Sequence, residues 1–413
     1  MKVLHAVTLH SPTHAFGGPV RVALNLCQGL RERGHDARLT ALADGFARPL
    51  PTEVEGVPAH LHQARRVLPL GFSGLTSPAL LAGAHRLVRS ADVVHVHLAR
   101  DLVTLPVALA ALRARRPLVL QTHGMVDPSE RRSARLLDAV AVRRVLRGAA
   151  AVLHLTERER RDLDAVVGGP RLDRAVRLVN GVPAQPEGPA PQGPPRILYA
   201  ARLQARKRPV DLVDAAPAIL ARQPEATFVV AGPDEGELAA VRRRIDDLGL
   251  AGKVSCPGPL TKERMTEELR RAHVYVLPSV DEPFPMSVLE AMAVGTPVVV
   301  TGSNGLARDV DRAGAGRVVT GPDGIAPAVL DLLEPAVRHS ASAAARKLTA
   351  GTFSMDAVLG TLLDVYEQAR TGGRAWQPGV TTAAGPGNPG NRGRPGPGGR
   401  PKDTDSRAPR PET

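Results

Sequence analysis

Short, continuously apolar runs separated by helical stretches occur in two series along this chain, and a segment that can form neither helix nor strand divides the two series. In the first half the runs are Lys2 to Val7, Asp92 to His97, Leu118 to Thr122 and Ala151 to Leu155. In the second they are Arg196 to Ala200, Phe228 to Ala231, Val274 to Pro278 and Pro297 to Thr301. A strand apolar at successive positions must be covered on both faces, which is what helices joining parallel strands do. The divider, Pro183 to Pro195, reads Pro-Ala-Gln-Pro-Glu-Gly-Pro-Ala-Pro-Gln-Gly-Pro-Pro; its missing amide hydrogens and fixed φ angles mark a linker. The prediction is two parallel α/β domains, residues 1–185 and 186–370. From 371 to 413 Gly, Pro and Arg dominate, with too little apolar surface to offset ordering entropy, so this tail is expected to be disordered.

Composition narrows what such a chain can bind. With one Trp and three Tyr there are few stacking platforms for bases. The net charge of +13 therefore suits an acidic small molecule or an anionic lipid surface, and no nucleic-acid partner is expected. Cys27 and Cys256 lie far apart in apolar or strand-like settings, a poor start for a disulfide framework or a zinc site. No signal-peptide core follows Met1, and the longest nearly apolar run, Leu102 to Leu112, is too short to span a bilayer. The expected location is the cytoplasm, with peripheral contact at the inner face of the membrane left open.

The most specific segment runs from Asp281 to Val300, Asp-Glu-Pro-Phe-Pro-Met-Ser-Val-Leu-Glu-Ala-Met-Ala-Val-Gly-Thr-Pro-Val-Val-Val. It follows a strand, so Glu282 falls in the loop at that strand's carboxyl end, where open α/β sheets bind ligands. The turn Phe284-Pro285-Met286-Ser287 enters a helix, and amides at the helix start, those of Met286, Ser287 and Val288, can hold a phosphate. Glu290 falls in the first turns of that helix, within reach of two adjacent ribose hydroxyls. A Glu-x7-Glu pair alone also suits a helix with one acid complementing its dipole and another in solvent. The full order, strand, Glu, Phe-Pro turn, Glu-Ala-Met helix, Gly-Thr-Pro, strand, is much rarer.

That order resembles the signature of the family-4 retaining glycosyltransferases, which have the GT-B architecture of two Rossmann-like, doubly wound domains facing an interdomain cleft. The likeness extends to about residue 370. It implies transfer of a hexose-type sugar, with retention of configuration, from a UDP- or GDP-linked donor to the hydroxyl of a glycan, a lipid-linked saccharide or a small molecule. No cofactor and no metal are implied. Arg202 and Lys207, in Leu198 to Pro209, are similar to the family's Arg-x4-Lys clamp, two cations that can neutralise a departing diphosphate. The resemblance gives Glu282 the sugar hydroxyls and Glu290 the ribose. Gly17 and Gly18 match a loop where glycine lets backbone approach phosphate. Cys256 and Pro257 match the segment whose backbone reads the base. Pro285 is a departure, because many relatives carry glycine there and proline supplies no amide. Two alternatives share the fold: a non-catalytic sugar-nucleotide-binding protein, and a phosphorylase or epimerase.

In the first domain, Leu118 to Gly124 places His123 at a strand's carboxyl end, and the resemblance puts it near the transferred sugar and the acceptor. His97 is read as lining the cleft. His95 and His97 alternate onto one strand face, but no third ligand has plausible spacing, so a metal is not expected. Asp127 precedes a predicted amphipathic helix from Ser129 to Gly148, with Ala134, Leu137, Ala141 and Val145 on its apolar stripe. In many relatives a similar basic helix borders the acceptor site. Asp309-Val-Asp311 and Asp403-Thr-Asp405 contain a metal-binding tripeptide of another glycosyltransferase fold, but neither follows a strand end.

Overall fold

The computed structural model describes residues 1–11, 18–69, 71–169 and 172–372. Gly17, Asp403 to Asp405 and all of the predicted tail beyond Gly372 lie outside these residues. The first sheet contains β1 (Lys2–His10), β2 (Asp36–Ala43), β3 (Glu53–Val54) and β4 (Val57–Gln63). A small antiparallel ribbon, β5 (Arg65–Arg66) with β6 (Leu75–Thr76), stands apart from it. The first sheet continues with β7 (Val93–His97), β8 (Leu118–Gln121), β9 (Ala151–His154) and β10 (Ala175–Arg177). The second holds β11 (Arg196–Ala200), β12 (Thr227–Ala231), β13 (Val254–Gly258), β14 (Val274–Leu277), β15 (Val298–Thr301) and β16 (Gly316–Val319).

Strand order is β10-β9-β8-β7-β1-β2-β4-β3 in the first sheet and β13-β12-β11-β14-β15-β16 in the second. All pairs are parallel except β3 with β4. The second order is the doubly wound 3-2-1-4-5-6 arrangement, and the first repeats it with an added edge strand on each side. The chain therefore contains two Rossmann-like domains, the GT-B arrangement.

Side chains alternate cleanly across the first sheet. Leu4, Ala6, Val94, Val96, Leu118 and Leu120 pack with Leu80, Leu105 and Ala108 of the helices Pro78–Arg89 and Thr104–Arg113. Val3, Val7, Val93 and Val119 pack on the opposite side, against the opening helix Gly18–Glu32 and the closing helix Met355–Thr371. His5, His95, His97 and Gln121 have the same odd register as this second set.

The closing helix corrects the expected boundary. The sequence predicts residues 186–370 as the second domain, yet Val358, Leu359, Leu362, Val365 and Tyr366 are buried in the first domain's core. Each such aliphatic side chain contributes about 1.5–3 kcal/mol by burial, which a bare tether does not. Gly29 permits the close approach, since a Cβ there would lie 2.3 Å from Leu359 Cδ1. The chain thus crosses between the domains twice, and the crossings are bonded together: Val182 N donates to Phe353 O at 2.9 Å, and Met355 N to Val182 O at 3.2 Å.

Candidate functional site

Strand order reverses between β1 and β7 in the first sheet and between β11 and β14 in the second. Connections leave such neighbours in opposite directions, which opens a crevice at the strands' carboxyl ends. Gly18, His123, Asp127, Arg202, Glu282 and Met286, drawn from both domains, line one cavity of about 1200 Å³. Pockets for a single small ligand usually measure about 300–1000 Å³, so this cavity exceeds what one such ligand fills.

On the second domain's side, the Lys207 ammonium lies against Glu282 Oε2, and Arg206 Nη1 is 3.4 Å from the same oxygen. Lys207 and Glu282 are both buried. Burial pulls the Lys207 ammonium below the ordinary lysine value, while the Glu282 carboxylate opposes that shift. Arg202 stands more exposed, with Nη1 3.1 and 3.2 Å from the two carboxylate oxygens of Glu235. The signature helix is Met286–Ala293, capped by Pro285. Val288 is among the phosphate donors that the sequence predicts, but its amide turns back to Pro285 O at 3.2 Å and its side chain is fully buried. A first turn cannot satisfy the amides of Met286 and Ser287 from within, so those two are the donors it offers. Tyr275 Oη lies 2.8 Å from both Ala200 O and Ser287 Oγ. The carbonyl can only accept, so the Ser287 hydroxyl gives its proton to the phenol oxygen and offers none to a ligand.

Glu290 is half-buried behind this helix start. Desolvation raises its carboxyl above the usual range, against the pull of Arg21 and Lys262. It does not line the cavity, and neither do Cys256 and Pro257, which sit on the edge strand β13.

On the first domain's side, His123 has a left-handed backbone (φ +52°), and Gly124 follows at +72°. A Cβ on Gly124 would lie 2.9 Å from both Cβ and Cγ of Pro283, so the two domains touch here. His97 is buried beneath His123, its Nδ1 2.7 Å from His123 Nε2.

Comparison with known proteins agrees with this geometry. The family of glycosyl transferase 4-like domains matches residues 17–181, and the family of glycosyl transferases group 1 matches residues 184–348. A D-inositol 3-phosphate glycosyltransferase of Xylanimonas cellulosilytica is 30% identical over 410 residues, covering 89% of this chain and 96% of its own. The chain belongs to the group 1, family-4-type glycosyltransferases. A GDP-mannose:cellobiosyl-diphosphopolyprenol alpha-mannosyltransferase of Xanthomonas campestris is 25% identical, covering 89% of this chain and 97% of its own. Anabaena Alr3699/HepE, solved in complex with UDP, shares the fold with a TM-score of 0.69 and 19% identity, covering 89% of this chain and all of that one.

Several residues that shape this glycosyltransferase's site were not singled out by sequence. Glu159 Oε1 accepts from Thr122 Oγ1 at 2.5 Å and from Gly124 N at 2.7 Å, and Oε2 accepts from Leu155 N at 2.6 Å. The carboxylate therefore grips the loop on both sides of His123. A signal was present, because Thr156-Glu-Arg-Glu159 has capping-box spacing and Thr156 Oγ1 does accept from Glu159 N. Arg100 joins Asp127, on the cavity wall, to Asp138 in the helical segment that follows.

The third histidine that sequence spacing failed to supply is His5, which pairs in register with His95 across β1 and β7. Nitrogens of His5, His95 and His97 lie within 4.8 Å of one another. The rings of His95 and His97 are stacked, with centroids 4.7 Å apart and planes 7° apart, so their in-plane lone pairs run side by side and do not converge on one ion. Asp309 lies on the helix Ala307–Ala313, 4.0 Å from Arg177.

Proposed function

We propose that this glycosyltransferase transfers a hexose-type sugar from a UDP- or GDP-linked donor to an acceptor hydroxyl, with retention of configuration and without a metal. The observation that carries this reading is the gathering of Arg202, Lys207 and Glu282 at the switch point between β11 and β14, with Arg202, Glu282 and His123 lining one cavity. The bond from the anomeric carbon to the phosphate oxygen breaks, and its electrons pass to the diphosphate. Arg202, Lys207 and the amides of Met286 and Ser287 stabilise that charge. The acceptor oxygen bonds to the anomeric carbon on the face the phosphate leaves, and its proton goes to the departing phosphate oxygen. The contact between Lys207 and Glu282 suits the junction of sugar and diphosphate, the cation serving phosphate and the carboxylate accepting from sugar hydroxyls. Glu290 takes the ribose, and Cys256 and Pro257 border the base.

Two relatives are named for phosphorylated compounds, inositol 3-phosphate and a diphosphopolyprenol-linked saccharide. Arg161 on the cavity wall supports an anionic acceptor here, while Arg158 and Arg177 face Asp281 and Asp309. Among the described residues no helix is long and apolar enough to cross a membrane. Leu136 and Val140, 65% and 68% exposed beside Arg132 and Arg135, support peripheral contact with an anionic bilayer from the cytoplasmic side.

Thermal unfolding with a panel of nucleoside diphosphates and their sugars tests the reading, because a ligand at a hundred times its Kd stabilises by about 2.7 kcal/mol. Transfer by the best donor in excess chelator, with the product anomer read by NMR, tests the rest. If no nucleoside diphosphate raises the melting temperature the donor reading falls; a strict metal requirement or an inverted product removes the corresponding part.

A further inference from the structure

Two loops meet on the wall of the cavity, one from each domain, and each carries a residue held in the left-handed backbone region. In the first domain it is His123 (φ +52°), followed by Gly124 at +72°; in the second it is Asp281 (φ +49°), which precedes Glu282. Such backbone is costly for a residue with a Cβ and persists only where neighbouring groups fix it. Met125 N donates to Thr122 O at 2.8 Å and closes the first turn, while the Glu159 carboxylate takes the Thr122 hydroxyl and the Gly124 amide. In the second, Asp281 N donates to Ser303 Oγ at 3.1 Å, and Asp281 O accepts from Arg206 Nη1 at 2.9 Å. Because Arg206 Nη1 is also 3.4 Å from Glu282 Oε2, Asp281 and the Glu282 carboxylate share one guanidinium.

One helical turn touches both loops. The helix Glu157–Val167 is capped by Thr156, whose Oγ1 accepts from Glu159 N, so Arg158 and Glu159 fall in its first turn. Successive residues of a helix point about 100° apart, which sends the two side chains in different directions. Glu159 is buried against its own domain's loop. Arg158 reaches the other domain, its Nη1 2.6 Å from Asp281 Oδ1. The buried arm is shielded from salt and water, whereas the outer pair, 64% and 62% exposed at its two ends, is screened and easily released. One fixed arm and one releasable arm suit a cleft that closes for transfer and reopens to free its product.

We propose that Arg158 and Glu159 are positioning residues that together clasp the His123 loop to the Glu282 loop, setting those two side chains against one substrate. Glu159 acts on His123 through the backbone on either side of it. Arg158 acts on Glu282 through Asp281 and Arg206. The proposal rests on the glycosyl-transfer reading only for the identity of the substrate, since the junction itself needs none.

Amide hydrogen exchange of the full chain tests the junction without any substrate. Arg158→Gln should speed exchange in peptides spanning 279–284, on the far side of the domain boundary from the substitution, and Glu159→Gln in those spanning 122–126. Turnover gives the second readout. Arg158→Gln and Asp281→Asn should each lower kcat roughly two- to fivefold, the worth of one exposed ion pair, and the double variant should lose no more than either. Affinity for free nucleoside diphosphate should stay unchanged in Arg158→Gln. The kcat difference from wild type should close at high ionic strength, which a merely structural loss would not do. If Glu159→Gln fails to fold, the Arg158 and Asp281 variants still decide. Unchanged exchange at 279–284 in Arg158→Gln, a loss of its nucleoside diphosphate affinity, or additive kcat losses in the double variant overturns the proposal. The exchange data need no sugar nucleotide, so that failure leaves glycosyl transfer standing, whereas absent nucleoside diphosphate binding by the wild type overturns the transfer reading and not the junction.

Discussion

The Lys207 ammonium rests on the carboxylate of Glu282, 75 residues further along the chain, with both side chains only 10% exposed. Removing one member of a buried pair leaves the other charged and alone, at about 3–5 kcal/mol. Glu282→Gln and Lys207→Met are each expected to lower the unfolding free energy in urea by that order. The double variant should lose far less than the sum, and strictly additive losses would show that the two charges do not depend on each other.

The two signature glutamates should separate nucleotide affinity from turnover. Glu290→Gln is expected to weaken free nucleoside diphosphate by about 1.5–3 kcal/mol, the worth of hydrogen bonds to a charged group. Glu282→Gln should leave that affinity intact and lower turnover. Calorimetric titration of the nucleoside diphosphate into folded samples of both variants decides; a larger loss for Glu282→Gln reverses the assigned roles.

Acid should destabilise this protein before its carboxylates titrate. Burial lowers His5 and His123 to about 3 and holds His95 and His97 well below the ordinary 6.5. The unfolded chain takes up protons below pH 6.5 while the folded one does not. The stabilisation is therefore complete above that pH and is lost as pH falls from 6.5 towards 3. Each such histidine costs about 1.4 kcal/mol per pH unit in that window. Urea midpoints compared at about pH 7.5 and about pH 5 measure it; equal midpoints would mean that the folded rings protonate.

Gly124→Ala should slow turnover as well as destabilise. The left-handed backbone alone costs about 1–2 kcal/mol with a Cβ present, and this Cβ would also press on Pro283 of the other domain. Gly34, at φ +79° with nothing within 4 Å, isolates the backbone contribution. Gly34→Ala is expected to lower the melting temperature and leave kcat unchanged; equal kcat values for the two variants would show that the Gly124–Pro283 contact has no part in turnover.

What the sequence made legible was what neighbouring residues decide. Continuous apolar runs exposed the central strands of both sheets, and the Glu282 to Glu290 block announced a strand, a turn and a helix start. Strands such as β2 and β16, the latter with the polar Arg317 inside it, gave weaker local signals. Partners chosen by strand order were beyond reach. His5 and His95 become neighbours only because β7 lies beside β1, and Lys207 meets Glu282 only because β14 lies beside β11. The apolar stripe of residues 355–371 shows an amphipathic helix, but nothing in that stripe names the sheet it covers.

The paired crossing at Val182 and Phe353 to Met355 bears on how this protein can be dissected. A single tether would let the second domain swivel freely. Two strands of backbone bonded side by side behave as the leaves of a piano hinge, with one easy axis and resistance to torsion, and the proline-rich segment is only one of those leaves. The returning leaf leads directly into the helix that carries Tyr366 and walls the first domain. A gene fragment stopped at the linker would therefore encode a half-built domain, with the opening helix left uncovered at Gly29, where Leu359 belongs.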